Sequence, residues 1–203
     1  MQDAADARDR PTSELVLDVA ETLARSKGYN GFSYADIAAA LGVSKATIHH
    51  HFATKADLGL ALVDRFSKIV LDALADIRRR SDDASDNLRG YFEIYLGALR
   101  VNRMCLCGMF AAEHESISPE MLAATTVFFD DHVDWLEEVL TRGRNAGRLA
   151  AVGEAREDAR AILAAMQGGL LIAKSQGSAR FMEELAETLL DTYGAGPDAA
   201  EAT

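Results

Sequence analysis

The stretch that decides the fold, residues 31–58, reads GFSYADIAAALGVSKATIHHHFATKADL. Ser33 can cap a short helix over residues 34–41, and Ser44 can cap a second one from Lys45 to about Phe52. The intervening turn contains Gly42, which suits the tight connection between two short helices. Two helices joined in this way are typical of a helix-turn-helix unit.

The second of these helices carries side chains suited to a nucleic-acid groove. A recognition helix presents short polar and basic residues in its N-terminal turn, where they meet base edges and phosphates. Ser44, Lys45 and Thr47 satisfy that requirement, and the positive helix N-terminus favours phosphate. Apolar side chains would anchor the helix, namely Val43, Ile48 and Phe52. A small three-helix packing unit with a solvated polar face is the alternative interpretation.

The net charge of the chain argues against nucleic-acid binding, but the distribution of the charges does not. The chain has 21 Lys and Arg against 32 Asp and Glu, a net charge of −11, which argues against binding to phosphates. However, no acidic residue occurs between Asp36 and Asp57, and this window contains Lys45, Lys55 and three histidines. We therefore expect a neutral-to-basic face on an otherwise acidic protein.

The rest of the chain favours helices throughout. Its 203 residues are 49% hydrophobic and include only three prolines, each at a predicted helix start or near an end of the chain. Hydrophobic periodicity predicts an all-α protein of about nine helices. The predicted helices cover residues 11–27, 34–41, 45–52, 55–80, 86–100, 104–115, 119–147, 154–176 and 178–193. Thr12 or Ser13 is expected to cap the first.

Other signals bound the cellular context. The apolar stretches are too short for a transmembrane helix, and the polar N-terminus lacks the apolar core of a signal peptide. Cys105 and Cys107 do not form a disulfide framework. We therefore expect a cytoplasmic protein that contacts no membrane.

The run from Gly31 to Leu58 resembles the N-terminal domain of the TetR family of bacterial transcriptional repressors, over roughly residues 12–60. The resemblance implies a helix-turn-helix DNA-binding domain at 12–57 and a larger effector-binding and dimerisation domain at 58–193. Residues 1–11 and 194–203 are expected to be disordered tails. The implied partners are double-stranded DNA with a palindromic operator, a small-molecule effector and a second copy of the chain.

The resemblance also implies roles for individual residues. Ser33 and Lys55 look like phosphate contacts, and Ser44, Lys45 and Thr47 look like groove contacts. His49 stands where the family usually has a phosphate-contacting tyrosine. His49 and His50 are expected to face solvent or DNA, whereas His51 is expected to pack against the first helix.

Three consecutive histidines do not predict a metal site. Neighbouring helical residues are turned by about 100° from one another, so these side chains cannot meet on one ion. No metal and no cofactor are expected.

The eighth predicted helix is apolar nearly all round between residues 161 and 173. Such a helix is buried on every side, which predicts a four-helix interface between two subunits. The candidate interface residues are Met166, Gly169, Ile172, Phe181, Leu185 and Leu189. A monomer with this helix at its centre is the alternative.

An effector pocket is expected among the fourth to eighth helices. The candidate wall residues are Phe66, Tyr91, Tyr95, Met109, Phe110, Phe128, Phe129, Trp135 and Met166, which could equally be plain core. Cys105, expected in the first turn of the sixth helix, would have a lowered pKa and thiolate character. Its segment resembles electrophile- and oxidant-sensing TetR members. Cys105 and Cys107 as small packing residues are the alternative.

The leading hypothesis is a DNA-binding repressor released by a small molecule or a thiol-reactive agent. A transcriptional activator of the same fold is one alternative. A helical enzyme is another, against which stands the absence of any nucleophile–base pairing, phosphate loop or zinc spacing in the sequence.

Overall fold

The computed structural model describes residues 10–150 and 152–194. Within those ranges it contains nine α-helices and no strand, which confirms the all-α prediction. The helices are α1 (Thr12–Lys27), α2 (Tyr34–Leu41), α3 (Lys45–His51), α4 (Lys55–Arg80), α5 (Ala84–Arg100), α6 (Leu106–Ala112), α7 (Pro119–Asn145), α8 (Ala155–Gln176) and α9 (Arg180–Tyr193). The two predicted tails lie almost entirely outside the described residues.

Five helix starts differ from the sequence prediction, those of α8 and α9 by one and two residues. α1 begins after Pro11 with no side-chain cap, so the expected capping role of Thr12 or Ser13 is wrong. α5 begins two residues early because the Asp83 carboxylate accepts the Ser85 and Asp86 N–H groups, at 2.8 and 3.2 Å. α6 covers only Leu106–Ala112, a shorter helix than the predicted 104–115.

The described residues form two compact units. The first consists of residues 10–66 and 106–125, and thus holds α1 to α3, the start of α4, α6 and the start of α7. Its core is apolar and fully buried at Val16, Ile37, Ile48, Leu58 and Phe110. The functional division at residues 57 and 58 stays a prediction.

The second unit consists of residues 67–105, 126–150 and 152–194. α8 packs closely on α9, and α5 contacts both. α8 approaches α9 closely at Gly169, because a Cβ there would lie 2.5 Å from Leu185 Cδ2 and 2.9 Å from Met182 Sδ, and these two side chains would have to shift. At the neighbouring Gly168 a Cβ would meet nothing within 4 Å.

None of the helices among the described residues is long and apolar enough to cross a membrane.

Candidate nucleic-acid interface and internal polar cluster

The turn between α2 and α3 has the geometry of a helix-turn-helix connection. Gly42 adopts the left-handed conformation (φ 68°, ψ 28°), which glycine accepts without steric cost. The N–H of Val43 donates to the Ala38 carbonyl over 3.1 Å and closes the end of α2. Ser44 then caps α3, since its Oγ accepts the Thr47 N–H over 3.1 Å. The predicted capping role of Ser44 is thereby confirmed.

α3 divides into a buried and an exposed side. Ile48 has no exposed surface, whereas Lys45, His49 and His50 are exposed and Thr47 is half-buried. The hydroxyls of Ser44 and Thr47 lie 2.9 Å apart. The helix is therefore anchored on one face and presents hydroxyl, ammonium and imidazole groups on the other, which is the arrangement that groove recognition requires.

Of the three histidines, His49 contacts both the segment after α3 and a residue of α2. Its Nδ1 lies 3.2 Å from the Ala53 carbonyl, and its ring centroid is 4.6 Å from that of Tyr34. The Tyr34 hydroxyl, with its single proton, lies within hydrogen-bond distance of two carbonyls, 2.9 Å from that of Phe52 and 2.6 Å from that of Thr54. His51 is exposed, so the expectation that it packs against the first helix is wrong. In the described part of the chain no group of three or more potential ligands is arranged to hold a metal ion.

Ser33 precedes α2 and is exposed, as a phosphate contact would be. Its N–H and its hydroxyl both donate to Asp36 Oδ2, at 2.8 and 2.7 Å. The Ser33 hydroxyl is the main cause of the lowered pKa of the Asp36 carboxyl. A DNA phosphate would therefore have to compete with this carboxylate for the hydroxyl.

Lys55 lies elsewhere than the sequence suggested. Its Nζ donates to the carbonyls of Tyr29, at 2.6 Å, and of Phe32, and lies over both aromatic rings, 4.6 and 4.4 Å from the centroids. Burial lowers the pKa of this ammonium. In this structure the ammonium fixes the loop before α2 from inside the unit, and the phosphate contact by Lys55 stays a prediction.

The same loop is held from a second side by a residue that the sequence did not suggest. Glu113, directly after α6, accepts the Asn30 N–H over 2.9 Å and also the Asn30 side-chain amide. The ring of Phe110 meets that of Tyr29 edge-on at 5.5 Å. The loop before α2 is therefore fixed by Lys55 of α4 on one side and by Phe110 and Glu113, in and next to α6, on the other.

The nine candidate pocket residues fall into both units. Phe66, Met109 and Phe110 belong to the first unit. Tyr91, Tyr95, Phe128 and Met166 are buried in the second unit, where Phe129 and Trp135 are half-buried. Of these, the structure brings Tyr91, Tyr95 and Trp135 into one cluster.

This internal polar cluster consists of Tyr91, Tyr95, His132, Trp135 and Gln167. Gln167 Nε2 donates to the Tyr95 hydroxyl over 3.2 Å. The hydroxyls of Tyr95 and Tyr91 lie 3.2 Å apart, and the Tyr91 hydroxyl lies 3.0 Å from His132 Nδ1. The Trp135 ring stacks on that of Tyr91, with centroids 5.7 Å apart. Burial raises the pKa of both tyrosines and lowers that of His132 to about 4, so these groups are neutral at pH 7.

Sequence reasoning missed His132 and Gln167. The available signal was a histidine within an apolar stripe: Phe128, His132 and Trp135 follow one another at three- and four-residue intervals on α7. No comparable signal marked Gln167, whose importance depends on which face of α8 meets α5.

The two cysteines have different surroundings. Cys107 is fully buried, and Cys105 is 8% exposed with its Sγ accepting a hydrogen bond from Gln167 Nε2 over 3.5 Å. Cys105 precedes α6, so its predicted place in the first helical turn is wrong. The segment before it is fixed by Lys174 Nζ, which donates to the Asn102 carbonyl over 2.7 Å.

α8 and α9 together expose apolar side chains. Leu171 and Ile172 are 61% and 41% exposed, and Phe181, Leu185 and Leu189 are half-buried. One face of α8 is therefore exposed in the protomer, and its burial by a second subunit stays a prediction. Met166 and Gly169 are buried inside the protomer, so their predicted place at a dimer surface is corrected.

The geometry defines a helix-turn-helix protein with a helical second unit, and comparisons with known proteins identify its family. Residues 16–62 match the family model of bacterial regulatory proteins of the tetR family. A TetR-family transcriptional regulator from Agrobacterium tumefaciens is 31% identical, with a TM-score of 0.88 over 90% of this chain and 97% of that one. A TetR regulator from Legionella pneumophila is 32% identical, with a TM-score of 0.83 over 91% and 98%.

A third similarity is to the HTH-type transcriptional repressor NemR of Escherichia coli K12. It is 23% identical over 170 residues, which are 82% of this chain and 85% of NemR. The structure of the reduced form of E. coli NemR superposes with a TM-score of 0.82 over 92% and 100% of the two chains. The chain belongs to the TetR family of transcriptional regulators, which are DNA-binding proteins and not enzymes.

Proposed function

We propose that this protein is a homodimeric repressor that binds a palindromic operator in the cytoplasm and leaves it when a small molecule binds the helical second unit. The observation that carries the proposal is the two-sided α3. Ile48 is fully buried, while Lys45, His49 and His50 are exposed on a helix capped by Ser44. A helix fixed in this way can meet base edges without losing its anchorage.

Operator binding is tested with a library of duplexes taken from the DNA beside the protein's own gene. We expect one palindromic site to be preferred over random duplex, with an affinity that falls steeply as salt rises. Lys45→Ala should weaken binding and alter base preference, at about 1–3 kcal/mol per lost base contact. Lys68→Ala is the matched control, because Lys68 is a well-exposed lysine of α4 paired with Asp72. Equal binding of operator and random duplex would contradict the proposal.

Dimerisation supplies the second half-site contact. The exposed Leu171 and Ile172 of α8 and the half-buried Leu185 of α9 are the apolar area on which we place the second copy. Two recognition helices would then lie about one DNA turn apart, as a palindrome requires. Ile172→Asp should convert the dimer into a folded monomer in sedimentation and abolish operator binding. Val127→Asp, at an exposed valine of α7, should leave the dimer intact.

Release by an effector follows from two dimer states with different half-site spacing. A ligand that binds the low-affinity state more tightly shifts the population by its differential affinity, at about 1.4 kcal/mol per tenfold change. The tight coupling of the loop before α2 to α4 and α6, through Lys55 and Glu113, supports a unit that moves as one body.

A thiol-reactive effector is the second candidate, and Cys105 is the residue that it would modify. Cys105 keeps 8% of its surface exposed and accepts a hydrogen bond from the Gln167 amide, whereas Cys107 is fully buried. N-ethylmaleimide adds its alkene carbon to the thiolate and takes up one proton. Quantitative modification should release operator DNA from wild type and from Cys107→Ser, and should leave Cys105→Ser bound. Full affinity in modified wild type would leave both cysteines as packing residues.

A further inference from the structure

The internal polar cluster ends in two groups that find no partner within residues 10–150 and 152–194. His132 Nε2 and Trp135 Nε1 are both buried there without a hydrogen bond. His132 is only 2% exposed, so bulk water does not reach its ring. Because native proteins pair nearly all buried polar atoms with protein groups or ordered water, we expect a water or a bound molecule to complete the two open atoms of this cluster.

The hydrogen-bond chain can run in the direction that makes both open atoms donors. When Gln167 Nε2 donates to the Tyr95 oxygen, Tyr95 donates to Tyr91 and Tyr91 donates to His132 Nδ1, the single proton of the neutral imidazole lies on Nε2. Trp135 Nε1 is a donor in any case.

The surroundings of these donors are flat and uncharged. Trp135 stacks on Tyr91 with an interplanar angle of 20°, and the Phe128 ring centroid lies 4.4 Å from that of His132. None of the five cluster side chains carries a charge at pH 7, so an ionic ligand would be buried there without a counter-charge from the cluster. An aromatic molecule would match the rings, and a carbonyl oxygen would match the donors.

We propose that His132 Nε2 and Trp135 Nε1 bind the carbonyl oxygen of an uncharged aromatic molecule, an aryl ketone or ester, and that this is the chemical class of the effector. That this molecule is the effector rests on the proposed function. The binding site itself does not depend on DNA binding.

The experiment uses three probes that share one ring and differ in charge: acetophenone, benzoate and benzylammonium. Trp135 is the only tryptophan of the chain, so the full-length protein labelled with ¹⁵N gives one indole N–H resonance. Acetophenone should shift that resonance saturably and raise Tm, whereas the two ions should do neither at the same concentration. An indole resonance that does not respond to acetophenone up to its solubility limit, or that responds equally to all three probes, overturns the proposal.

Two variants assign the response to the donors. His132→Phe and Trp135→Phe should each weaken acetophenone binding by about fivefold to tenfold, the cost of one hydrogen bond, measured by calorimetry. His114→Phe, at an exposed histidine, should bind as wild type does. Unchanged affinity in both cluster variants overturns the proposal, and Trp135→Phe suffices if His132→Phe does not fold. Operator release by acetophenone is measured separately, so failure of DNA binding contradicts only the proposed function.

Discussion

Each unit contains a group of hydrogen-bonded polar side chains, and the two groups differ in how completely they are paired. In the first unit the Lys55 ammonium donates to two carbonyls and lies over two aromatic rings, and Glu113 accepts two donors from Asn30. In the second unit five side chains form a hydrogen-bonded and stacked cluster with His132 Nε2 and Trp135 Nε1 left open. A group whose hydrogen bonds are all made within the protein fixes the backbone around it, whereas a group with unpaired donors can bind a ligand. The comparison thus separates a structural site from a receptive one.

The largest effect should come from acidification. Burial lowers the pKa of His132 from 6.5 to about 4, so between these pH values the unfolded chain takes up a proton that the folded chain refuses. The free energy of unfolding is therefore expected to fall by about 3 kcal/mol from this group as pH decreases from 6.5 to 4. Urea unfolding of wild type and His132→Phe at pH 7, 5.5 and 4.5 measures it. His114→Phe should follow wild type, and parallel profiles for wild type and His132→Phe would contradict the assignment.

The saturated site is tested by Lys55→Met, which keeps most of the stem and removes the charge. The carbonyls of Tyr29 and Phe32 lose their donor, at an expected cost of about 2 kcal/mol in the free energy of unfolding. Lys45→Met removes an exposed ammonium and should change stability by less than about 0.5 kcal/mol while weakening operator binding. If the two variants were equally stable, Lys55 would not be a structural brace.

The smallest effect should come from single hydroxyls of the open cluster. Tyr95→Phe deprives Gln167 of one of its two acceptors and Tyr91 of its hydroxyl partner, and should cost about 1 kcal/mol. Tyr91→Phe should cost a similar amount. Because the two hydroxyls belong to one chain, the double variant should lose less than the sum. Additive losses in urea unfolding would show that the hydroxyls act independently.

Local sequence was sufficient for most of the helices. Ser118 and Pro119 marked the start of α7, and Ser44 marked that of α3, because caps act within one turn of the chain. The start of α6 was placed too early. The segment before it is held by Lys174, 72 residues away, and no local pattern reveals such a contact.

The candidate site was predictable where exposure decides the outcome. The buried Ile48 and the exposed Lys45 follow from helical periodicity, whereas the orientation of Lys55 does not, since a flexible four-carbon stem can turn toward DNA or toward nearby carbonyls. His51 was misplaced because exposure near a helix end depends on the neighbouring element. His132 and Gln167 gain their meaning only when α5, α7 and α8 are brought together.

The paired glycines of α8 would have opposite fates in a library of substitutions. At position 169 a Cβ would displace the side chains of Leu185 and Met182, so selection for folding should favour glycine there. At position 168 alanine meets no atom of the protomer within 4 Å and should favour the helix by about 1 kcal/mol. If selection for repression nevertheless retains glycine at position 168, the space beside that residue must be occupied by the second subunit.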